Sequence, residues 1–180
     1  MSTSWLIPCL ALALALALAL TACASTPPQQ QGGGASASRG VQLNNRGHAL
    51  AGQGQHAEAV ALYREALPML PADGASAANR AAAFNNLGAS LATLGALAEA
   101  QQAFSEALQI RERLFGALAA PTLLSRHNLG VVLGRRGQAQ PACEQALQAW
   151  RGRVQTLGAG HPDTQASRAS VQSLAGCALA

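Results

Sequence analysis

From Phe84 to Leu94 the large apolar residues Phe84, Leu87, Leu91 and Leu94 recur at three- and four-residue steps, which puts them on one face of a helix. Gly95 supplies the permissive backbone that ends it. A second amphipathic run follows from Ala98 to Leu114, with Ala100, Phe104, Ala107, Leu108 and Leu114 turned inward. The pattern therefore predicts two antiparallel helices, A and B. Small residues at Gly88, Ala100 and Ala107 mark where the two backbones approach closely, and Phe104 fills the remaining gap.

The same spacing occurs three times. Gly88 has counterparts at Gly47 and Gly130, Leu91 at Leu50 and Leu133, and Gly95 at Gly54 and Gly137, so successive units are offset by 41 and then 42 residues. Ala59, Ala100 and Ala142 form another such set, Ala66, Ala107 and Ala149 a further one, and Phe104 follows Tyr63. A regular period of this length is the mark of a stacked repeat protein.

Leu87, Gly88, Leu91, Gly95, Ala100, Phe104 and Ala107 together resemble the tetratricopeptide repeat. The long period, Asn85-Asn86-Leu87-Gly88, the extended Ile110–Gly116 end and His161-Pro162-Asp163-Thr164 are similar to the kinesin-light-chain type. The resemblance implies an all-α, right-handed solenoid of three helical hairpins, about 41–81, 82–123 and 124–160, plus a C-terminal capping helix over 164–178. Three departures from it stand out. Arg46 stands where Leu87 and Leu129 are buried, Ala146 replaces the aromatic of Tyr63 and Phe104, and the fourth unit has no helix B. The end units are expected to be looser or to act as caps.

Ahead of the repeats, Leu10 to Leu20 is an eleven-residue Leu-Ala alternation, short for a ~30 Å hydrocarbon span and ending in small residues. Residues 1–22 read as a signal peptide. Leu20-Thr21-Ala22-Cys23 resembles the bacterial lipobox, which implies lipidation at Cys23 and a membrane-anchored mature chain. With Ser25 and no Asp beside Cys23, the resemblance implies the outer membrane, facing the periplasm. Residues 24–40 are Ser, Thr, Pro, Gln, Gly and Ala with Arg39, and read as a flexible tether. Pro68 and Pro71 are expected to end the first helix B early, and Asp163 or Thr164 to cap a last helix running to about Cys177.

Composition then narrows the function. The net charge of +4 comes from twelve arginines and no lysine, in pairs such as Arg111/Arg113 and Arg151/Arg153 scattered among eight acids, which argues against a nucleic-acid face. His48 and His56 lie in the first unit, His127 in the third and His161 in the linker after it, with no paired nucleophile, and there is no glycine-rich phosphate loop, since Gly32 to Gly34 precedes no strand. No catalytic set, cofactor, metal site or small-molecule substrate is expected. Of four cysteines, Cys9 lies in the signal core and Cys23 at the lipidation site, leaving Cys143 and Cys177 as either a disulfide or two small buried thiols.

What remains is binding. The expected function is a membrane-anchored scaffold whose concave face, made by the A helices, holds a segment of another envelope protein. The alternative is a structural assembly factor for a pilus- or secretion-type complex, working through convex or edge surfaces. Asn45, Asn86 and Asn128 recur one residue before Arg46, Leu87 and Leu129, so they form a ladder facing the groove, able to pair with a peptide backbone or to join adjacent units. Ala82, Asn85 and Ala89, with Leu124, His127, Val131 and Arg135, complete a trough that is basic at one end and fits an acidic residue or free carboxylate.

Overall fold

The computed structural model describes residues 32–174 and 176–178. The expected signal peptide, the expected lipidation site Cys23 and residues 24–31 of the expected tether lie outside them. Among the described residues seven α-helices follow in order: α1 (Gly32–Gly52), α2 (His56–Ala66), α3 (Ala77–Thr93), α4 (Leu97–Phe115), α5 (Ala120–Arg135), α6 (Ala139–Leu157) and α7 (Pro162–Ser173). Among the described residues there is no strand. The helices pair as α3/α4 and α5/α6, with α7 packed on α6 and touching α5, and α3 touching α5 directly; α1 lies on α2 through Gly47 against Tyr63 and Arg39 with Glu65. This is a helical-hairpin solenoid, as the repeat spacing implied.

Each A-to-B turn reverses through a glycine with positive φ, 80° at Gly54, 82° at Gly95 and 76° at Gly137, a conformation that a Cβ would strain. Inside the hairpins the recurring small residue has a different neighbour in each unit. A Cβ on Gly47 would lie 2.8 Å from the Tyr63 ring, one on Gly88 3.0 Å from the Phe104 ring, and one on Gly130 3.1 Å from the Ala146 backbone nitrogen. Units one and two therefore lay an aromatic face on the A helix. In unit three, where Ala146 stands in the aromatic position, the two helix backbones themselves come together.

A second exchange of size lies nearer the open ends of the hairpins. In unit two the B helix carries bulky Ile110 against Ala77 and Ala81 of the A helix. In unit three the equivalent positions are reversed, with Leu123 on α5 reaching over Gly152 on α6, and no room there for a Cβ. The same volume is filled from opposite sides.

Several boundaries differ from the sequence reading. Helix α1 begins at Gly32, within the stretch assigned to the tether; Gly40 lets the helix lie against Leu70, and Arg39 pairs with Glu65 of α2 at 3.3 Å. Helices α3 and α5 start at Ala77 and Ala120, a few residues before the expected unit boundaries, because Ala-rich or Pro-initiated turns are helical without a large residue to mark their phase. Leu94 and Leu114, expected inward, are 51% and 42% exposed, since each sits in a terminal turn beyond its neighbour's reach. The last helix ends at Ser173, not near Cys177, and its N-cap is His161, whose Nδ1 accepts from the Asp163 backbone N–H.

After α2 a short 3-10 turn, Leu67–Met69, forms where Pro68 interrupts the helix. Its carbonyls are recovered from the next unit. Arg80 donates to the Leu67 and Leu70 oxygens, each at 2.8 Å, while its guanidinium lies 5.2 Å over the Phe84 ring.

Candidate functional site

The three asparagines of the expected ladder are not equivalent. Asn45 is exposed, whereas Asn86 and Asn128 are half-buried and committed to the preceding unit: Asn86 Nδ2 donates to Asn44 Oδ1 and Asn128 Nδ2 to Asn85 Oδ1, both at 3.1 Å. The acceptors are the buried residues Asn44 and Asn85, and Asn44 also donates to Asn45 Oδ1 at 3.4 Å. The ladder thus joins units. A carboxamide has two N–H groups and an oxygen, so Asn86 and Asn128 each keep an acceptor and one donor for anything lying on the A-helix face.

Asn85 has a further partner in Arg111 of α4. The Arg111 guanidinium donates to Asn85 Oδ1 at 3.4 Å, to the Pro121 carbonyl at 2.9 Å and to Ser125 Oγ at 2.7 Å. Arg153, at the equivalent place on α6, donates to the Asp163 carbonyl at 2.9 Å and to Ser167 Oγ at 2.7 Å. Both arginines are buried, and burial lowers the pKa of each, partly opposed at Arg153 by Asp163. They fasten each B helix to the first turns of the next A helix. Sequence reasoning treated them as surface pairs; the missed signal was that Arg111/Arg153 and Ser125/Ser167 share the 42-residue offset.

His127 occupies the Asn85 position of unit three. Ser167 is fully buried, accepts from Arg153 and is hydrogen-bonded to His127 Nδ1 at 3.3 Å. Burial pushes the His127 pKa below its ordinary 6.5, the Arg153 charge lowers it further, and Asp163 acts in the opposite direction.

The trough residues are only partly brought together. Val131 and Arg135 meet Gly130, Gly134, Ser170, Ser173 and Leu174 around an open hollow of about 350 Å³ between α5 and α7. Arg135 is exposed, and one of its N–H groups is anchored on the Ala92 carbonyl at 2.9 Å, which holds the guanidinium at the hollow's rim. Ala89 is exposed and Ala82 half-buried on α3. Leu124 belongs elsewhere: it lines a separate hollow of about 230 Å³ with Ala120, Pro121, Leu123, Arg153, Leu157 and Asp163. The pocket-forming Ser170, Ser173 and Leu174 were not foreseen, because the last helix was read only as a cap.

Charge divides between the two helix sets. Six of the eight acids, Glu58, Glu65, Glu99, Glu106, Glu112 and Glu144, lie on the B helices α2, α4 and α6, and helices α1, α3 and α5 carry none. Glu99 and Glu112 are engaged by Arg64 and Arg126. The A-helix side is consequently polar, apolar or cationic. Among the described residues, no group of three His, Cys, Asp or Glu is placed to hold a metal, and no helix is long and apolar enough to cross a membrane.

Cys143, early in α6, is joined by a disulfide to Cys177, with Cα atoms 5.5 Å apart. The bond is made by the segment beyond α7 and not by the helix itself.

Family models described as "Tetratricopeptide repeat" match residues 79–153 and 41–69. No curated protein matches the sequence. Among solved structures, the chain is similar to the nearly identical TPR-like repeats assigned to a kinesin light chain of Podosopora anserina, at 24% identity and TM-score 0.63 over 73% of this chain and 63% of that one. A point variant of the same repeats aligns at 23% identity and TM-score 0.62, covering 88% of this chain and 71% of that one. BtubC (BKLC) from P. vanneervenii aligns at 18% identity and TM-score 0.58, covering 74% and 60%. At these identities the likeness is one of fold, and the chain spans less than two thirds of the first of these relatives.

Proposed function

We propose, from the premise that residues 41–69 and 79–153 of this chain are tetratricopeptide repeats, that it is a protein-binding scaffold taking an extended partner segment along its A-helix face. The observation that carries this reading is the division of charge: α3 presents Asn86, α5 presents Asn128, Val131 and Arg135, and α1, α3 and α5 carry no carboxylate. The polar groups can pair with a peptide backbone, and Arg135 selects an acidic residue or a free carboxylate. The lipobox-like Leu20-Thr21-Ala22-Cys23 further supports a lipid-anchored protein of the bacterial outer membrane, with a partner in the cell envelope.

The test is crosslinking capture from isolated outer membranes, comparing wild type with Val131→Asp and Arg135→Glu. Loss of the captured partner in both variants, with melting unchanged, is the expected result. A second reading, an assembly role through edge surfaces, is favoured by the exposed Leu114, Phe115, Leu118 and Leu157 at the ends of the B helices and the loops after them. In that case Phe115→Ser and Leu118→Ser would abolish capture, and the A-face variants would not.

A further inference from the structure

Leu174 leaves α7 in an extended conformation, with φ −90° and ψ 121°, and turns back over α5. There its Cδ2 would be 2.6 Å from a Cβ on Gly134, so the side chain enters only because that glycine has none. Leu174 and Val131 form the apolar walls of the hollow between α5 and α7, Gly130 and Gly134 its floor, and Arg135, Ser170 and Ser173 its polar rim. Beyond Leu174 the chain makes a local turn, Cys177 N–H donating to the Leu174 carbonyl at 3.2 Å, and is then tied to α6 by the Cys143–Cys177 bond. One wall of the hollow therefore hangs on a segment held by its own side chain and by a disulfide. Both cysteines are partly exposed, within reach of a small reductant.

We propose that the Cys143–Cys177 disulfide is a redox latch on this end of the binding face. Oxidised, it holds Leu174 on Gly134 and completes a pocket for an apolar side chain carried beside an acidic group, the acid meeting Arg135. Reduction by a dithiol delivers two electrons and two protons: the sulfur–sulfur bond breaks, both cysteines become thiols, and the reductant closes to its own disulfide. The segment after Ser173 is then released, and the pocket loses a wall. The inference rests on the A-helix face being the binding face, and it adds the regulation of that face.

Indole-3-acetate, an apolar ring carrying a carboxylate, is a suitable probe, titrated into the full chain while the amide resonances of Gly130 and Gly134 are followed. Saturable shifts in the oxidised protein, with the Kd raised about tenfold by dithiothreitol, are expected from the loss of one apolar wall. Leu174→Ala with the disulfide intact should reproduce that loss, which separates the latch from any general loosening on reduction. Equal affinity in the two redox states would overturn the latch, as would tight binding by Leu174→Ala or the absence of saturable shifts in the oxidised protein. Those outcomes are distinguishable from failure of the scaffold reading, which partner capture with the Val131 and Arg135 variants decides on its own.

Discussion

The guanidinium of Arg111 and the hydroxyl of Ser125 meet at 2.7 Å with both side chains buried, joining helix α4 to helix α5 of the next unit. Replacing Arg111 by Met keeps the volume but strands Ser125 and the Pro121 carbonyl, so a loss of about 2–4 kcal/mol in urea unfolding is expected. Ser125→Ala removes one partner of three and should cost about 1–2 kcal/mol. If Arg111→Met were neutral, the buried arginine would not be what fastens the units.

The glycine positions separate by what their missing Cβ would meet. A Cβ on Gly130 would lie 3.1 Å from one backbone atom of α6 and 3.3 Å from another, so Gly130→Ala must push two helices apart and should cost about 1–3 kcal/mol. Gly52 has nothing within 4 Å and ends α1, so Gly52→Ala should be neutral or gain up to about 1 kcal/mol. Thermal melting of the two variants checks the ordering.

Acid should weaken the domain through His127. Its folded-state pKa lies below the ordinary 6.5, so the unfolded chain takes the proton first; the contribution is complete above 6.5 and is lost as pH falls below it. His127→Asn places the Asn85 side chain at this position, retaining a hydrogen-bonding partner for Ser167 without a titrating group. The melting temperature of this variant should fall less than that of wild type between pH 7.5 and pH 5.5, and parallel curves would show that His127 is not the sensor.

Asn86→Ala and Asn128→Ala each remove a hydrogen bond between units and should lower stability by about 0.5–1.5 kcal/mol. Asn45→Ala, at an exposed site, should change it little. Calorimetry of unfolding alongside partner binding then shows how much of each asparagine's role lies in the solenoid and how much in the ligand.

The hairpin pattern was legible because it is written in large residues and glycines: Leu87, Leu91 and Phe104 at helical spacing, Gly88 at the crossing, Gly95 at the turn. Helix starts were not, since Ala77 and Ala120 open turns whose small residues carry no phase. The A-helix residues of the proposed trough could be picked out from their repeat positions, and the hollow beside α7 could not. Leu174 becomes a neighbour of Gly134 only because the chain breaks out of α7 after Ser173, an event set by tertiary packing and not by any local signal. The buried arginines were hidden for a related reason. An arginine on an amphipathic helix looks like surface until its carbonyl and hydroxyl acceptors on the following unit are known.

The exchange of Ala81–Ile110 for Leu123–Gly152 makes each hairpin self-selecting. Were α3 to pair with α6, Ala81 would face Gly152 and leave a hole; were α5 to pair with α4, Leu123 and Ile110 would compete for one space. Repeats that share a consensus otherwise invite this kind of crossing, between units of one molecule or between two molecules during folding. Here the side chains act as keys cut differently for each lock, so units two and three cannot be shuffled or grafted by halves.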